Sequence, residues 1–168
     1  DRSLKIKEEL GDKRGMGLTL GNIGIVHDVK GEYDTALEYY DKSIKIKEEI
    51  ADKLGMGQTL GNIGLVHANK GEYDTALEYY DRALKIYEEL GDKLGVGATL
   101  LNIGLVHANK GEYDTALEYY DRSLKIDEEL GDKAGMGLTL NNIGGVHSNK
   151  GEYDKALDCY DKSLKIKE

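Results

Sequence analysis

Apolar residues recur along the chain at steps of three and four, which is the spacing of one face of an α-helix. In the stretch from residue 53 to residue 69, this stripe consists of Met56, Leu60, Ile63 and His67. Asp52 stands where a helix N-cap belongs, and Gly71 stands where a left-handed residue ends a helix. The pattern therefore predicts a first helix over residues 53–69.

A second stripe follows and predicts a second helix over residues 72–90. Its buried face is expected to consist of Tyr73, Ala76, Leu77, Tyr80, Ala83, Leu84 and Leu90. Gly64 is expected to face Ala76, so that the two helices approach closely. No stretch alternates between apolar and polar residues with a period of two, so the predicted fold class is all-α.

The helix pair is the unit of a repeat of 40 residues, because Asn-Ile-Gly recurs at Asn22, Asn62, Asn102 and Asn142. We predict one array over residues 1–168. It consists of the end of a second helix (1–12), three repeats (13–52, 53–92, 93–132) and a shortened repeat (133–168). Such units stack on their neighbours into a solenoid. The start within a unit, without Met, is expected of a piece of a longer array.

The residues of each repeat resemble a known family pattern. Leu60, Ile63, Gly64 and His67, followed by Ala76, Tyr80 and Ala83, resemble the tetratricopeptide repeat. The 40-residue period and Asn-Ile-Gly are similar to the repeats of kinesin light chain and Partner-of-Inscuteable. The resemblance implies a right-handed superhelical solenoid of antiparallel helix pairs, with first helices on the concave face. It also implies that Asn22, Asn62, Asn102 and Asn142 hold the backbone of an extended peptide.

The asparagines support a binding role by their own chemistry. Asn62 lies off the apolar stripe, and a side-chain amide can pair with a peptide N–H and C=O together. Further asparagines lie on the same face two turns later, at Asn69, Asn109 and Asn149. The alternative is a capping or inter-helix role within the scaffold.

Differences between the repeats follow one face of the first helix, with steps of three, four and three. The variable positions are Leu18, Gln58, Ala98 and Leu138; Gly21, Gly61, Leu101 and Asn141; Ile25, Leu65, Leu105 and Gly145; and Asp28, Ala68, Ala108 and Ser148. A fixed framework with one changing face suits a mildly apolar groove on the concave face, which is expected to bind an extended peptide or a helix of a partner protein. We predict that it includes Leu18, Gln58, Ile25, Leu65, Leu101 and Leu105. Substitutions elsewhere, at Lys47, Tyr87 and Asp127, leave random drift as the alternative.

The charge of the chain narrows the class of partner. The formal net charge is −9, whereas nucleic acids and anionic membranes reward clustered cations. The expected partner is therefore a protein or peptide, not nucleic acid or membrane. The N-terminus shows no signal-peptide pattern and the chain has one cysteine, Cys159, so a cytoplasmic location is expected.

Catalytic and metal-binding chemistry find little support in the sequence. Each repeat carries one histidine of a ladder formed by His27, His67, His107 and His147. Histidines on neighbouring stacked helices are expected to lie too far apart to bind one zinc ion together. Gly15-Met16-Gly17 lacks the context of a nucleotide loop, and Asn69–Asp74 lacks the acid spacing of a calcium loop. Cys159 has no activating neighbour in sequence. We expect no enzymatic activity, no metal and no cofactor.

A second hypothesis is a structural array. The terminal repeats are expected to leave apolar flanks, with Leu157, Tyr160, Leu164 and Ile166 at one end and Leu4, Ile6 and Leu10 at the other. Nearly identical repeats would then stack head to tail, giving weak self-association.

Overall fold

A computed structural model describes residues 11–167, which form eight helices. These are α1 (Lys13–Val29), α2 (Tyr33–Glu49), α3 (Lys53–Asn69), α4 (Tyr73–Leu90), α5 (Lys93–Asn109), α6 (Tyr113–Leu130), α7 (Lys133–Asn149) and α8 (Tyr153–Lys167). The prediction of an all-α array of helix pairs is confirmed. The helix end predicted at residues 1–12 lies outside the described residues, apart from Gly11 and Asp12.

The chain divides into two compact units between Ile86 and Tyr87. The first unit contains α1, α2, α3 and most of α4, and the second contains α5 to α8. In the first unit, α2 packs against both α1 and α3; in the second, α6 packs against both α5 and α7. Within each unit, a second helix therefore also packs against the first helix of the next repeat.

Each first helix begins with an aspartate cap, as the sequence predicts at Asp52. The Asp52 Oδ1 atom accepts a hydrogen bond from the Gly55 backbone N–H at 3.0 Å. The same bond recurs at the start of α1, α5 and α7, at 2.8, 3.1 and 3.0 Å. Gly71, with φ +76°, follows the end of α3 in the predicted left-handed conformation. These two signals fix the bounds of the glycine-rich first helices.

The helices of a pair pack closely because a tyrosine ring covers a glycine. A Cβ atom at Gly64 would lie 2.8 Å from the Tyr80 ring. Tyr80 rather than the predicted Ala76 is thus the nearest side chain to Gly64. At Gly104 the Tyr120 ring is again nearest, at 2.7 Å, and the Ala116 carbonyl oxygen follows at 3.3 Å. The close approach is as predicted, but an aromatic ring fills the space between the helices.

The predicted buried face of α4 is wrong at its last turn. Leu90 is 44% exposed, whereas Tyr87 is 8% exposed. The buried stripe runs through Tyr80, Ala83 and Tyr87 at steps of three and four, and Leu90 is the last residue of α4. Leu90 continues this spacing but lies at the end of the helix, where it remains exposed, so periodicity alone misled the prediction.

Buried side chains from neighbouring repeats form one core in each unit. In the first unit, Ala36 and Tyr40 of α2 pack with Ile63 and Val66 of α3. In the second unit the core consists of Ala116, Tyr120, Ile143, Val146 and Cys159. The repeats of a unit therefore share their hydrophobic interior, as expected of stacked repeats.

Candidate functional site

The candidate site is the outward surface of the first helices, which we call the first-helix face: that of α1 and α3 in the first unit and that of α5 and α7 in the second. Several predicted groove residues are exposed there although they are apolar. These are Leu18, Ile25, Leu65 and Leu105, and the equivalent Leu138 is exposed as well. Gln58 is also exposed. Leu101 differs from them, because it is half-buried and packs against the core of the second unit.

The predicted asparagines lie on the first helices of each unit and differ in exposure. Asn62, Asn102 and Asn142 are half-buried, whereas Asn22 is exposed. The asparagines at the helix ends, Asn69, Asn109 and Asn149, are exposed.

A cavity of about 180 Å³ between α5 and α7 brings part of the predicted set together. It is lined by the predicted residues Leu105, Asn109, Asn142 and Asn149, and by Ala108, Tyr120, Asn141, Gly145 and Val146. Four asparagines thus line one cavity together with an exposed leucine. Each amide can donate and accept, so the cavity can pair with a backbone N–H and C=O of a bound chain.

The equivalent place in the first unit holds a carboxylate. Asp28 of α1 stands where α5 has Ala108, and the amide of Asn69 donates a hydrogen bond to it. Burial raises the pKa of Asp28, and the Asn69 hydrogen bond opposes that rise. Asn69 therefore has an inter-helix contact in this unit, which is the alternative role considered for the asparagines.

A second cavity, of about 170 Å³, lies at the other end of α1 and α3. Leu18 and Gln58 line it together with Arg14, Lys47, Asp52, Leu54 and Gly55. Lys47 is buried, and its Nζ donates to the Gly55 carbonyl at 3.2 Å and to Thr59 Oγ1 at 2.8 Å. Burial lowers the pKa of Lys47, while Asp52 opposes the change.

The position of Lys47 is buried in the first three repeats although its residue type changes. Tyr87 and Asp127 are its equivalents, and both are buried as well. Thr139 Oγ1 donates to Asp127 Oδ2 at 3.2 Å. Sequence reasoning treated these substitutions as distant from any site and missed their burial. The available signal was their place one turn after Ser43, Ala83 and Ser123, at helical spacing on the buried face.

The histidines form a repeated packing contact at the end of each first helix. His67 Nδ1 lies 2.5 Å from Glu72 Oε2, and its ring stacks on Tyr79 with centroids 5.3 Å apart. The pKa of Glu72 is lowered, mainly by the hydrogen bond with His67 and next by the hydrogen bond with Lys70. Within residues 11–167, no three potential ligands come together to hold a metal ion.

Cys159 replaces the stacking tyrosine in the fourth repeat and lies in the core of the second unit. Mainly because it is buried, its thiol has a raised pKa, which favours the unreactive protonated form.

The apolar flank expected on α8 is exposed at Leu157 and Leu164. Self-association through it stays a prediction.

None of the helices described between residues 11 and 167 is long and apolar enough to cross a membrane.

No curated protein sequence matches the chain. Many solved structures resemble its fold, among them the following two. One is the crystal structure of BtubC (BKLC) from P. vanneervenii, with a TM-score of 0.81 and 21% identity over 98% of this chain and 76% of that one. The other is the apo form of RapI, with a TM-score of 0.84 and 20% identity over 95% of this chain and 45% of that one.

Models of protein families match most of the sequence. A model described as Tetratricopeptide repeat matches residues 55–129 and again 95–168. A second model with the same description matches residues 18–52. Repeats of this kind are generally non-catalytic and support protein–protein interaction. The closely packed helix pairs and the matches along the sequence agree: the chain belongs to the tetratricopeptide repeat family.

Proposed function

We propose that this protein is a non-enzymatic interaction scaffold that binds an extended peptide segment of a partner protein on its first-helix face. The observation that carries the proposal is the cavity between α5 and α7, where the amides of Asn109, Asn142 and Asn149 meet beside Leu105. Two of these asparagines lie on one helix, seven residues apart, and the third lies at the end of the neighbouring first helix.

An extended peptide suits this chemistry better than a compact ligand. Its unpaired N–H and C=O groups alternate along the chain, and each asparagine amide can pair with one of each. Its side chains point alternately to opposite sides, so every second one can pack on an exposed apolar residue such as Leu65 or Leu105. Backbone pairing supplies general affinity, and the variable positions of the first helices supply selectivity.

The test is selection from a library of displayed random dodecapeptides. The parent chain is compared with the quadruple variant Asn22→Ala, Asn62→Ala, Asn102→Ala and Asn142→Ala. A matched control carries Glu38→Asp, Glu78→Asp, Glu118→Asp and Asp158→Glu on exposed positions of the second helices, which keeps the net charge unchanged. We expect the parent and the control to enrich peptides and the quadruple variant to enrich none.

Circular dichroism of the three proteins separates loss of binding from loss of folding. Alanine favours the helix more than asparagine does, so we expect the quadruple variant to keep its helicity. If its helicity collapses while the folded fraction still binds, the asparagines belong to the scaffold. If a fully folded quadruple variant enriches the same peptides as the parent, the proposal is wrong.

A further inference from the structure

Asp28 is the one acidic residue at its position in the four repeats, where the equivalents are Ala68, Ala108 and Ser148. It lies near the C-terminal end of α1, three residues after the exposed Ile25 of the first-helix face. In the second unit, the small, uncharged Ala108 lines the cavity between α5 and α7. At the equivalent position, the first unit has the carboxylate of Asp28.

The carboxylate is only partly satisfied by the protein. Asn69 donates to it across the gap between α1 and α3. Within residues 11–167, Asp28 Oδ1 and the Tyr40 hydroxyl are buried atoms with no hydrogen-bond partner. No lysine, arginine or histidine of this described part forms an ion pair with Asp28. A half-buried carboxylate therefore stands on the first-helix face without a counter-ion.

Such an arrangement is unfavourable for the free protein and favourable for binding. A partly desolvated charge without an opposite charge weakens the folded state, and a ligand that brings a cation relieves that cost. Burial and the nearby Asp28 charge also raise the pKa of Tyr40 to about 12, so this hydroxyl stays neutral. The net charge of −9 adds a general attraction for basic segments.

We infer that Asp28, together with the Asn69 amide, forms a subsite for a lysine or arginine side chain of the bound peptide. This inference rests on the proposed function, because it assigns the chemical class recognised at one place on the first-helix face. An incoming ammonium or guanidinium group would supply the missing opposite charge. The equivalent position in α5 is Ala108, so the subsite is confined to the first unit and fixes which part of a peptide binds there.

The experiment uses dodecapeptides enriched on the parent chain. Sequencing is expected to show one position enriched in lysine or arginine. For one such peptide, Kd is measured by calorimetry with its basic residue as lysine and as norleucine, which keeps the apolar stem and removes the charge. Each peptide is titrated into the parent and into Asp28→Asn. The parent is expected to prefer lysine by about tenfold, as for loss of a charge-assisted hydrogen bond, and Asp28→Asn to show no preference.

A matched gain of function uses Ala108→Asp, which places the carboxylate beside Asn149 in the second unit. Library selection on this variant is expected to enrich a second basic position. Equal affinity of the parent for the lysine and norleucine peptides overturns the inference, while the binding itself leaves the proposed function intact. Failure of the parent to enrich any peptide overturns both.

Discussion

At the scale of single residues, two glycines of α3 differ in what a side chain would meet. A Cβ atom at Gly64 would lie 2.8 Å from the Tyr80 ring, whereas nothing lies within 4 Å of one at Gly61. We therefore expect Gly64→Ala to destabilise the protein by about 1–3 kcal/mol through overpacking. Gly61→Ala is expected to stabilise it by roughly 0.5–1 kcal/mol, because alanine favours the helix.

Urea unfolding followed by circular dichroism measures both effects. Since the two substitutions are chemically identical and lie in one helix, each serves as the control for the other. Changes of the same sign and size would contradict the packing of α3 against α4.

Asp127 gives a prediction that depends on pH. Burial raises its pKa above the ordinary value of 3.8, and Asp132 adds to the rise. The folded state therefore binds this proton more readily than the unfolded chain, and the ionised carboxylate weakens folding at neutral pH. The weakening disappears as the pH falls below the ordinary pKa.

Asp127→Asn removes the charge and keeps an oxygen that can accept from Thr139. We expect it to raise the melting temperature by a few degrees at pH 7 and by less as the pH approaches 3. Asp121→Asn, at an exposed position of the same helix, is the control and should change little. A benefit that grows toward pH 3 would reverse the predicted sign.

At the scale of elements, the first helices depend on their caps because their sequences favour helix weakly. Glycines occupy several interior positions of α5, including Gly97 and Gly104. The Asp92 side chain accepts from the Gly95 N–H at 3.1 Å at the start of this helix. Asp92→Ala is expected to cost about 1 kcal/mol of unfolding free energy.

Asp92→Asn keeps an oxygen that can accept from the Gly95 N–H but removes the negative charge. The two variants together therefore distinguish the effect of the hydrogen bond from the effect of the charge. Unfolding in urea should place Asp92→Asn near the parent and Asp92→Ala below it. Equal losses in the two variants would show that the charge, rather than the cap, stabilises α5.

The elements were largely predictable from the sequence, and their junctions were not. Helix periodicity and the Asp52 and Gly71 signals predicted α3 to the residue. Helical spacing places Lys47 and Asp127 on the buried face of their helices, but what each one contacts there depends on how a second helix packs against the first helix of the following repeat. Periodicity within one helix gives its buried face but not its register against the next helix. Lys47 and Asp127 also have residue types that sequence reasoning assigns to solvent.

At the scale of the whole molecule, the negative charge predicts how binding responds to salt. The screening length falls from about 30 Å at 0.01 M to about 10 Å at 0.1 M ionic strength. With a net charge of −9, the association rate of a lysine-containing peptide is expected to fall several-fold over this range. Its norleucine counterpart, measured by stopped-flow fluorescence, should respond less. An identical salt response of the two peptides would exclude electrostatic recognition of the basic side chain.

The sequence predicted residue types for a candidate site but not how the structure groups those residues. The resemblance indicated Asn142, and the chemistry and helical spacing of the amides added Asn109 and Asn149; these three asparagines line one cavity. Asp28 was recognised only as a variable position, because its missing counter-ion depends on the packing of α1 against α3. Leu101 was predicted from its variability, yet its side chain is partly buried and packs against the core of the second unit.

The central claim is that an extended peptide pairs with the asparagine amides of the first-helix face. The most direct measurement is NMR of the asparagine side-chain NH₂ groups during titration with a peptide enriched on the parent chain. The account predicts that the signals of Asn102, Asn109, Asn142 and Asn149 shift on binding, while backbone signals of exposed second-helix residues such as Glu78 and Glu118 stay in place. Shifts confined to the second helices, with the asparagine amides unchanged, would contradict it.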